Sequence, residues 1–170
     1  WFADSEKMLV KMISNNRKSL IDTKQTVPDG PTISTNFGEK AQNRTYQDLL
    51  KNKFDEHNFE QLSTSAIFKV SIDGSVKKWM DDRMYRTISF SPNGEYVMIS
   101  QINKPFSYLV TYSRFPTETN VYSKDGNFIS NLLNVPLIEE LPKGFMSVRT
   151  GKRSFSWRPD KGASLTYVTA

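Results

Sequence analysis

Two segments of the sequence combine arginine with aromatic side chains, and they hold the side chains best suited to binding chemistry. Arg114 lies in the segment 104–116, and Arg149 and Arg153 lie in the segment 145–157. An arginine between aromatic rings can bind a carboxylate through two parallel hydrogen bonds while its aliphatic stem packs on a ring. The alternative is that these arginines brace neighbouring structural units through backbone carbonyls and acidic side chains. The three arginines are therefore the candidate binding residues, with bracing as the competing interpretation.

The sequence offers no set of residues that could form a complete active site. The single histidine, His57, lies in a helical stretch without a second metal ligand at useful spacing. Glu139 and Glu140 are adjacent, and adjacent side chains of an extended chain point to opposite sides. Ser75 follows Gly74 in a turn without the strand-to-helix setting of a serine nucleophile, and no Walker or dinucleotide-binding motif is present. We therefore expect no catalytic residue, no metal site and no bound cofactor in this chain.

The composition is that of a single domain with a modest positive charge. The 170 residues include 23 basic and 18 acidic ones, for a formal charge of +5. No apolar run approaches the roughly 20 residues that span a bilayer, and no nucleic-acid recognition motif accompanies the basic residues. We therefore expect neither a membrane nor a nucleic-acid partner. The absence of cysteine excludes disulfides but does not fix the compartment, for which a periplasmic or secreted location is favoured over a cytoplasmic one.

A short phrase occurs three times and indicates how the chain is built. Residues 1–10 align without a gap on residues 90–99, and residues 157–167 align with one residue inserted. Each copy combines an aromatic strand end, a turn rich in small and polar residues, and a fresh apolar strand. A repeated strand–turn–strand unit is typical of a β-propeller, whose blades cannot each bury a core alone. Because the chain opens and closes inside such a unit, we expect it to be a piece of a larger protein.

Strand patterns flank tight turns along most of the chain. Apolar and other residues alternate from Ala66 to Ile72, and Asp73-Gly74 then supplies the positive φ angles that a tight hairpin needs. The same device recurs at Asp125-Gly126. The predicted strands cover residues 8–13, 66–72, 87–90, 96–102, 120–123, 128–132, 154–157 and 164–169.

The segment 23–62 interrupts this pattern and is expected to be an insertion. Its first part, up to about Arg44, carries prolines and glycines without a sustained period, which indicates a loop. From Tyr46 to Leu62 apolar residues recur near helical spacing, and Thr45 to Asp48 matches a capping box. We expect one or two short helices packed on the rim of a sheet, with an amphipathic partner-binding helix as the alternative.

These features predict an all-β fold, namely an incomplete β-propeller of about two blades plus flanking strands, with a short helical insertion. A β-sandwich is the alternative, because short strands with turn signals describe that class as well. The terminal strands of an open ring would expose unpaired edges, so edge-to-edge self-association is a further expectation.

Several short sequence motifs also resemble those of a known family, both in their residues and in their order along the chain. They lie at residues 44–52, 105–110, 112–116, 136–142 and 148–154. Together they resemble the propeller part of the prolyl oligopeptidase family of serine peptidases, and within it the glutamyl endopeptidase-like branch. The resemblance spans most of residues 44–170, whereas the first 43 residues match only through the repeated phrase.

The resemblance implies an N-terminal propeller that covers a C-terminal α/β-hydrolase domain with a Ser-Asp-His triad. That domain is absent from this chain, so no catalytic residue is assigned. The implied function is non-catalytic: the propeller gates the access of peptide substrates and helps to bind them. Cleavage after glutamate would need a cation for the substrate carboxylate, which again points to Arg114, Arg149 and Arg153. The alternative is a stand-alone propeller scaffold that binds another protein.

Overall fold

A computed structural model describes residues 1–22, 24, 30, 46–140 and 147–170. The fold is mostly β, with one α-helix and one short 3₁₀ helix in this part of the chain. The strands are β1 (Lys7–Ile13), β2 (Ser65–Ser71), β3 (Val76–Phe90), β4 (Tyr96–Ile102), β5 (Thr117–Ser123), β6 (Phe128–Val135), β7 (Arg153–Trp157) and β8 (Leu165–Val168). The α-helix α1 spans Lys53–Ser63, and the 3₁₀ helix spans Tyr112–Arg114. The all-β prediction and each of the predicted strands are confirmed.

The first six strands form one antiparallel sheet in chain order, and β7 pairs with β8 in a separate hairpin. The long strand β3 belongs to both halves of the sheet. Its residues 76–83 pair with β2, and its residues 84–90 pair with β4. The sheet therefore consists of a three-stranded unit and a four-stranded unit that share β3.

The connections divide between two ends of the strands. Five short turns cluster at one end of the strands, which we call the turn end: 3–6, 72–75, 91–95, 124–127 and 158–164. Backbone hydrogen bonds join neighbouring turns there, from the N–H of Ile72 to Glu6 O at 2.9 Å and from the N–H of Lys124 to Glu95 O at 2.8 Å. The described parts of 14–64, 103–116 and 136–152 lie at the opposite end, which we call the insertion end. There the amide of Ile138 donates to Arg114 O at 3.1 Å.

The three copies of the repeated phrase form the same turn. In the first, Phe2 N donates to Lys7 O and Ser5 N donates to Phe2 O. The second copy repeats both bonds five and three residues apart, from Ser91 N to Tyr96 O and from Gly94 N to Ser91 O. In the third copy, Arg158 N donates to Ser164 O and Lys161 N donates to Arg158 O. The first of these hydrogen bonds spans one residue more than its counterparts, because this copy contains one inserted residue.

These turns also contact one another. The rings of Phe2 and Phe90 lie edge to face with centroids 4.9 Å apart. Asn93 N donates to Gly162 O at 3.0 Å, and Trp157 Nε1 donates to Ser89 O at 3.2 Å. The repeated turns therefore stand side by side, the first against the second and the second against the third.

Two apolar clusters hold the sheet and the insertion end. The first lies where the two units meet and is centred on Ile67, Tyr85, Val97, Ile99 and Tyr122. The second is built around Met84, Ile102, Val110 and Phe115, and it is covered by apolar side chains that include Phe59 of α1 and Phe106. Burial of these side chains supplies the main stabilising free energy of the fold.

The helix was predicted correctly, but its start was not. Asn52 caps α1, because its side-chain oxygen accepts the backbone N–H groups of Phe54 and Asp55, each at 2.9 Å. The helix does not begin after the capping box expected at Thr45–Asp48, because residues 46–52 are not helical and Asn52 satisfies the free amides of the first turn; Thr45 itself lies outside the described residues. Phe59 packs edge to face on Phe106 and thereby fixes α1 over the insertion end. The rest of the 23–62 insertion lies mainly outside the described residues.

The Asp-Gly hairpins form with one difference from the prediction. Only the glycines take positive φ, +84° at Gly74 and +93° at Gly126. Ser71 N bonds to Ser75 O and Gly74 N bonds to Ser71 O, which defines a three-residue loop that ends in the glycine. The aspartate keeps negative φ because this loop, unlike a two-residue one, needs only one left-handed residue.

Candidate functional site

The insertion end contains two adjoining clefts. One has a volume of about 540 Å³ and is lined at its mouth by Lys104 and Glu60, which form an ion pair at 2.8 Å. The other has a volume of about 500 Å³ and lies between β1, β3 and the end of α1. Arg17 and Met84 line both clefts. Volumes of this size are typical of sites for small molecules or short peptide segments.

A polar network that is buried at Gln101 and Asn120 supports the wall of the first cleft. Gln101 Nε2 donates to Glu118 Oε2 at 2.8 Å, and Asn120 Nδ2 donates to Glu118 Oε1 at 2.9 Å. Asn131 Nδ2 in turn donates to Asn120 Oδ1 at 2.8 Å. Arg83 reaches the network through Gln101 Oε1 at 3.4 Å. Because the members satisfy one another across β4, β5 and β6, the network fixes the cleft wall.

Arg114 lies at the insertion end and is half buried. Its guanidinium carbon lies 5.4 Å from the centroid of the Tyr46 ring, which is a cation–π contact. Its backbone oxygen accepts the amide of Ile138. Arg114 therefore ties together three segments that were separate in the sequence.

Arg149 binds the backbone of its own turn. Its guanidinium donates to Thr150 O at 2.8 Å and also to Lys152 O. This is the kind of carbonyl contact that the bracing interpretation describes, although it lies within one turn and does not connect neighbouring units.

Arg153 begins β7 at the end opposite the repeated turn. Its backbone pairs with Val168, and its Nη1 atom is buried without a hydrogen-bond partner among the described residues. A buried cationic N–H without an acceptor is unfavourable, so this atom has an unmet hydrogen-bonding requirement. The three predicted arginines thus occupy different surroundings, and no contact joins any two of them in this part of the structure.

A fourth arginine, Arg86, was missed by the sequence analysis. The repeated phrase extends upstream of its aromatic residue, because residues 86–90 read Arg-Thr-Ile-Ser-Phe and residues 153–157 read Arg-Ser-Phe-Ser-Trp. Arg86 and Arg153 are therefore equivalent positions of successive units. Each lies at a bulge with one extra residue on its strand, between Tyr85 and Thr87 in β3 and between Arg153 and Ser156 in β7.

No catalytic or metal chemistry is assembled in the described residues. His57 Nε2 lies 3.0 Å from Ser19 O, which links α1 to the chain after β1. The residues described here contain no cluster of three or more metal-binding side chains, and none of their helices could cross a membrane. The large pKa shift is at Tyr85, whose pKa burial raises to about 12 while its hydroxyl donates to Asp81 O at 2.6 Å.

Two plant proteins are similar to most of this chain. A "Probable glutamyl endopeptidase, chloroplastic" from Oryza sativa subsp. japonica is 44% identical over 146 residues, which cover 85% of this chain and 16% of that protein. A protein of the same name from Arabidopsis thaliana is 36% identical over 163 residues, which cover 95% of this chain and 17% of that protein. The chain spans about one sixth of the length of these relatives. No protein-family model and no solved structure matches it.

Proposed function

We propose that this chain is a non-catalytic β-propeller segment of a serine peptidase of the prolyl oligopeptidase family, where it gates access and helps to bind peptide substrates. The premise is its similarity to proteins named as glutamyl endopeptidases, of which it matches only a part. The observation that carries the proposal is the repeated turn, whose hydrogen bonds recur at equivalent residues in three successive units.

The division of the sheet supports the propeller. Strand β3 from Met84 onward forms a four-stranded antiparallel unit with β4, β5 and β6, which is the composition of one complete blade. Strands β1 and β2 and the first half of β3 supply three strands of the preceding blade, and β7 and β8 supply the first two of the next. The repeated turn then lies between the first and second strands of every blade. Contacts between successive turns, such as Asn93 with Gly162, fit blades arranged side by side.

The asymmetry between the two ends supports the role in binding. Short turns at the turn end leave little room for variation, whereas the segments at the insertion end carry the helix and both clefts. Binding residues are commonly held on such connections above a rigid scaffold. We therefore propose that the insertion end faces the catalytic domain and the substrate.

The structure gives different degrees of support for substrate binding by each of the three predicted arginines. Arg153 combines a buried, unpartnered Nη1 atom with a place at the insertion end of β7. The guanidinium of Arg149 is already occupied by two backbone oxygens, and that of Arg114 packs on Tyr46. Arg153 is therefore the best supported carboxylate-binding residue of the three, whereas Arg149 stabilises its own turn.

The experiment is active-site labelling of the intact protein that carries this chain. The protein is treated with a fluorophosphonate probe for activated serines, and its cleavage of peptides with glutamate or glutamine before the scissile bond is measured. The proposal expects a labelled serine outside residues 1–170 and faster cleavage after glutamate. An intact protein that takes no label and cleaves neither peptide would instead support the stand-alone scaffold.

A further inference from the structure

We propose that Arg86, together with Lys11 and Arg17, forms a subsite for an acidic side chain of the bound peptide. This subsite deepens the proposed function and rests on it, because it adds a second contact for an acidic residue, separate from that of Arg153, in the 500 Å³ cleft at the insertion end. The cleft lies between β1, β3 and α1, and all three cations line it. None of these residues was a candidate from the sequence.

The charge of the cleft favours an anion. Three of its lining residues are cationic, and no aspartate or glutamate is among the lining residues in the described part of the chain. The neighbouring cleft differs, since Glu60 and Asp82 lie on its wall beside the cations. Because like charges that face a common space repel one another, a carboxylate in the 500 Å³ cleft would relieve that repulsion.

The donors of Arg86 are available. Its side chain is exposed and makes no hydrogen bond or ion pair with the described residues, although it projects from a strand of the sheet. Lys11 is held in place by its contact with Tyr85 O at 3.3 Å, which keeps its ammonium group beside β3. A guanidinium with free donors is suited to bidentate binding of a carboxylate, and the nearby ammonium adds charge.

The bulge in β3 gives a structural reason for the position of Arg86. An extra residue between Tyr85 and Thr87 breaks the alternation of the strand and redirects the side chain there. In β7 an irregularity also lies close to the equivalent Arg153, but it comes after this residue, which is itself paired with Val168. The two successive units therefore share the arginine and a nearby bulge, and Arg86 is the one that occupies the unpaired position.

The walls of the cleft suit a peptide and not a free anion. Leu62 at the end of α1 is 61% exposed, and Tyr112 is 55% exposed. Apolar side chains left in solvent beside cationic groups are typical of a binding surface with a few polar anchors. The occupant is accordingly a peptide segment in which an acidic residue is followed or preceded by apolar ones.

The test measures binding to intact protein that has first been treated with the fluorophosphonate, so that any activated serine is blocked and the peptide is not cleaved. A fluorescein-labelled decapeptide of alternating alanine and glutamate is then titrated into this protein at low salt, with its glutamine counterpart as reference. The unmodified protein is expected to bind the glutamate peptide at least tenfold more tightly. Arg86→Gln should reduce the affinity for the glutamate peptide by about 10- to 100-fold and leave that for the glutamine peptide unchanged.

A matched control separates the subsite from the general charge of the protein. Arg158 is an exposed arginine at the turn end that pairs with Asp160 at 2.6 Å, and Arg158→Gln removes the same charge. This variant should keep the full preference for glutamate, and Arg86→Glu should favour a lysine peptide instead. Circular dichroism of each variant checks that it is folded. Lys11→Gln is a second variant that removes a positive charge from the cleft.

The subsite is overturned if Arg86→Gln keeps the full preference, or if Arg158→Gln loses as much of it. An intact protein that binds both peptides equally also overturns it. Failure of the proposed function would give a different result, in which no serine is labelled. If such a protein still binds the glutamate peptide through Arg86, the subsite is retained.

Discussion

Gly94 of the second repeated turn lies directly against Ala3 of the first. A Cβ atom on Gly94 would fall 2.6 Å from the Ala3 Cβ, and the φ angle of Gly94 is +72°. Glycine is therefore required at this position for two reasons, namely the left-handed backbone conformation and the close approach of the neighbouring turn. The contact joins the two units of the sheet at the turn end.

The first prediction concerns this contact. Gly94→Ala should lower the free energy of unfolding by about 2–4 kcal/mol, because it adds steric overlap with Ala3 to the strain of a left-handed alanine. Gly74→Ala is the matched control, since Gly74 has φ +84° but no atom within 4 Å of the added Cβ. It should cost only about 1 kcal/mol. Urea denaturation measures both variants.

A double variant identifies the cause. Ala3→Gly removes the opposing Cβ, so the pair with Gly94→Ala should recover the steric part of the loss and keep the backbone part. If Gly94→Ala and Gly74→Ala are equally destabilising, the turns do not pack as described.

The second prediction concerns alkaline pH. Burial raises the pKa of Tyr85 to about 12, whereas an unfolded tyrosine titrates near 10. The stabilisation from keeping this phenol protonated is fully present below pH 10 and is lost as the pH rises from about 10 to about 12. By pH 11 the loss is on the order of 1 kcal/mol, and urea denaturation at pH 8 and pH 11 measures it.

Tyr85→Phe is the control for this titration. The variant loses the hydrogen bond to Asp81 O and about 1 kcal/mol at neutral pH, but it has no phenol to ionise. Its stability should therefore fall less than that of the unmodified protein between pH 8 and pH 11. An equal fall in the two proteins would contradict the raised pKa.

The third prediction separates the arginines. Arg149→Gln should lower stability by about 1 kcal/mol, because two carbonyls of the turn lose their donor, and should affect all peptide substrates alike. If the intact protein has the proposed activity, Arg153→Gln should instead reduce its kcat/KM for glutamyl peptides by roughly 10- to 100-fold, without a comparable effect on glutaminyl peptides. Thermal unfolding and peptide kinetics measure the two effects. The assignment is wrong if the two variants exchange these phenotypes.

The local parts of the fold could be predicted from the sequence, because short-range chemistry determines them. The glycines of the Asp-Gly pairs set the hairpins, and apolar alternation located the strands. The helix start was not predictable because Thr45–Asp48 and Asn52 both offer capping side chains in the sequence, and only the structure shows Asn52 accepting the amides of Phe54 and Asp55. The division of β3 between two partners depends on contacts far apart in the chain.

The candidate site was less accessible to sequence reasoning. Aromatic neighbours drew attention to Arg114, Arg149 and Arg153, but pattern alone cannot tell a guanidinium bound to its own turn from one with free donors. The signal for Arg86 was present, since Arg-Thr-Ile-Ser-Phe parallels Arg-Ser-Phe-Ser-Trp. This parallel lies upstream of the aromatic residue at which the gap-free repeat begins.

The central claim is that successive blades carry a substrate-facing insertion end, and a structure of the intact protein with a covalent serine inhibitor tests it most directly. The account predicts that residues 84–135 form one complete blade beside the unit of β1 and β2. It also predicts that Arg86 and α1 face the inhibited serine across a common cavity. A β-sandwich, or a catalytic domain docked at the turn end against Ala3 and Gly94, would contradict it.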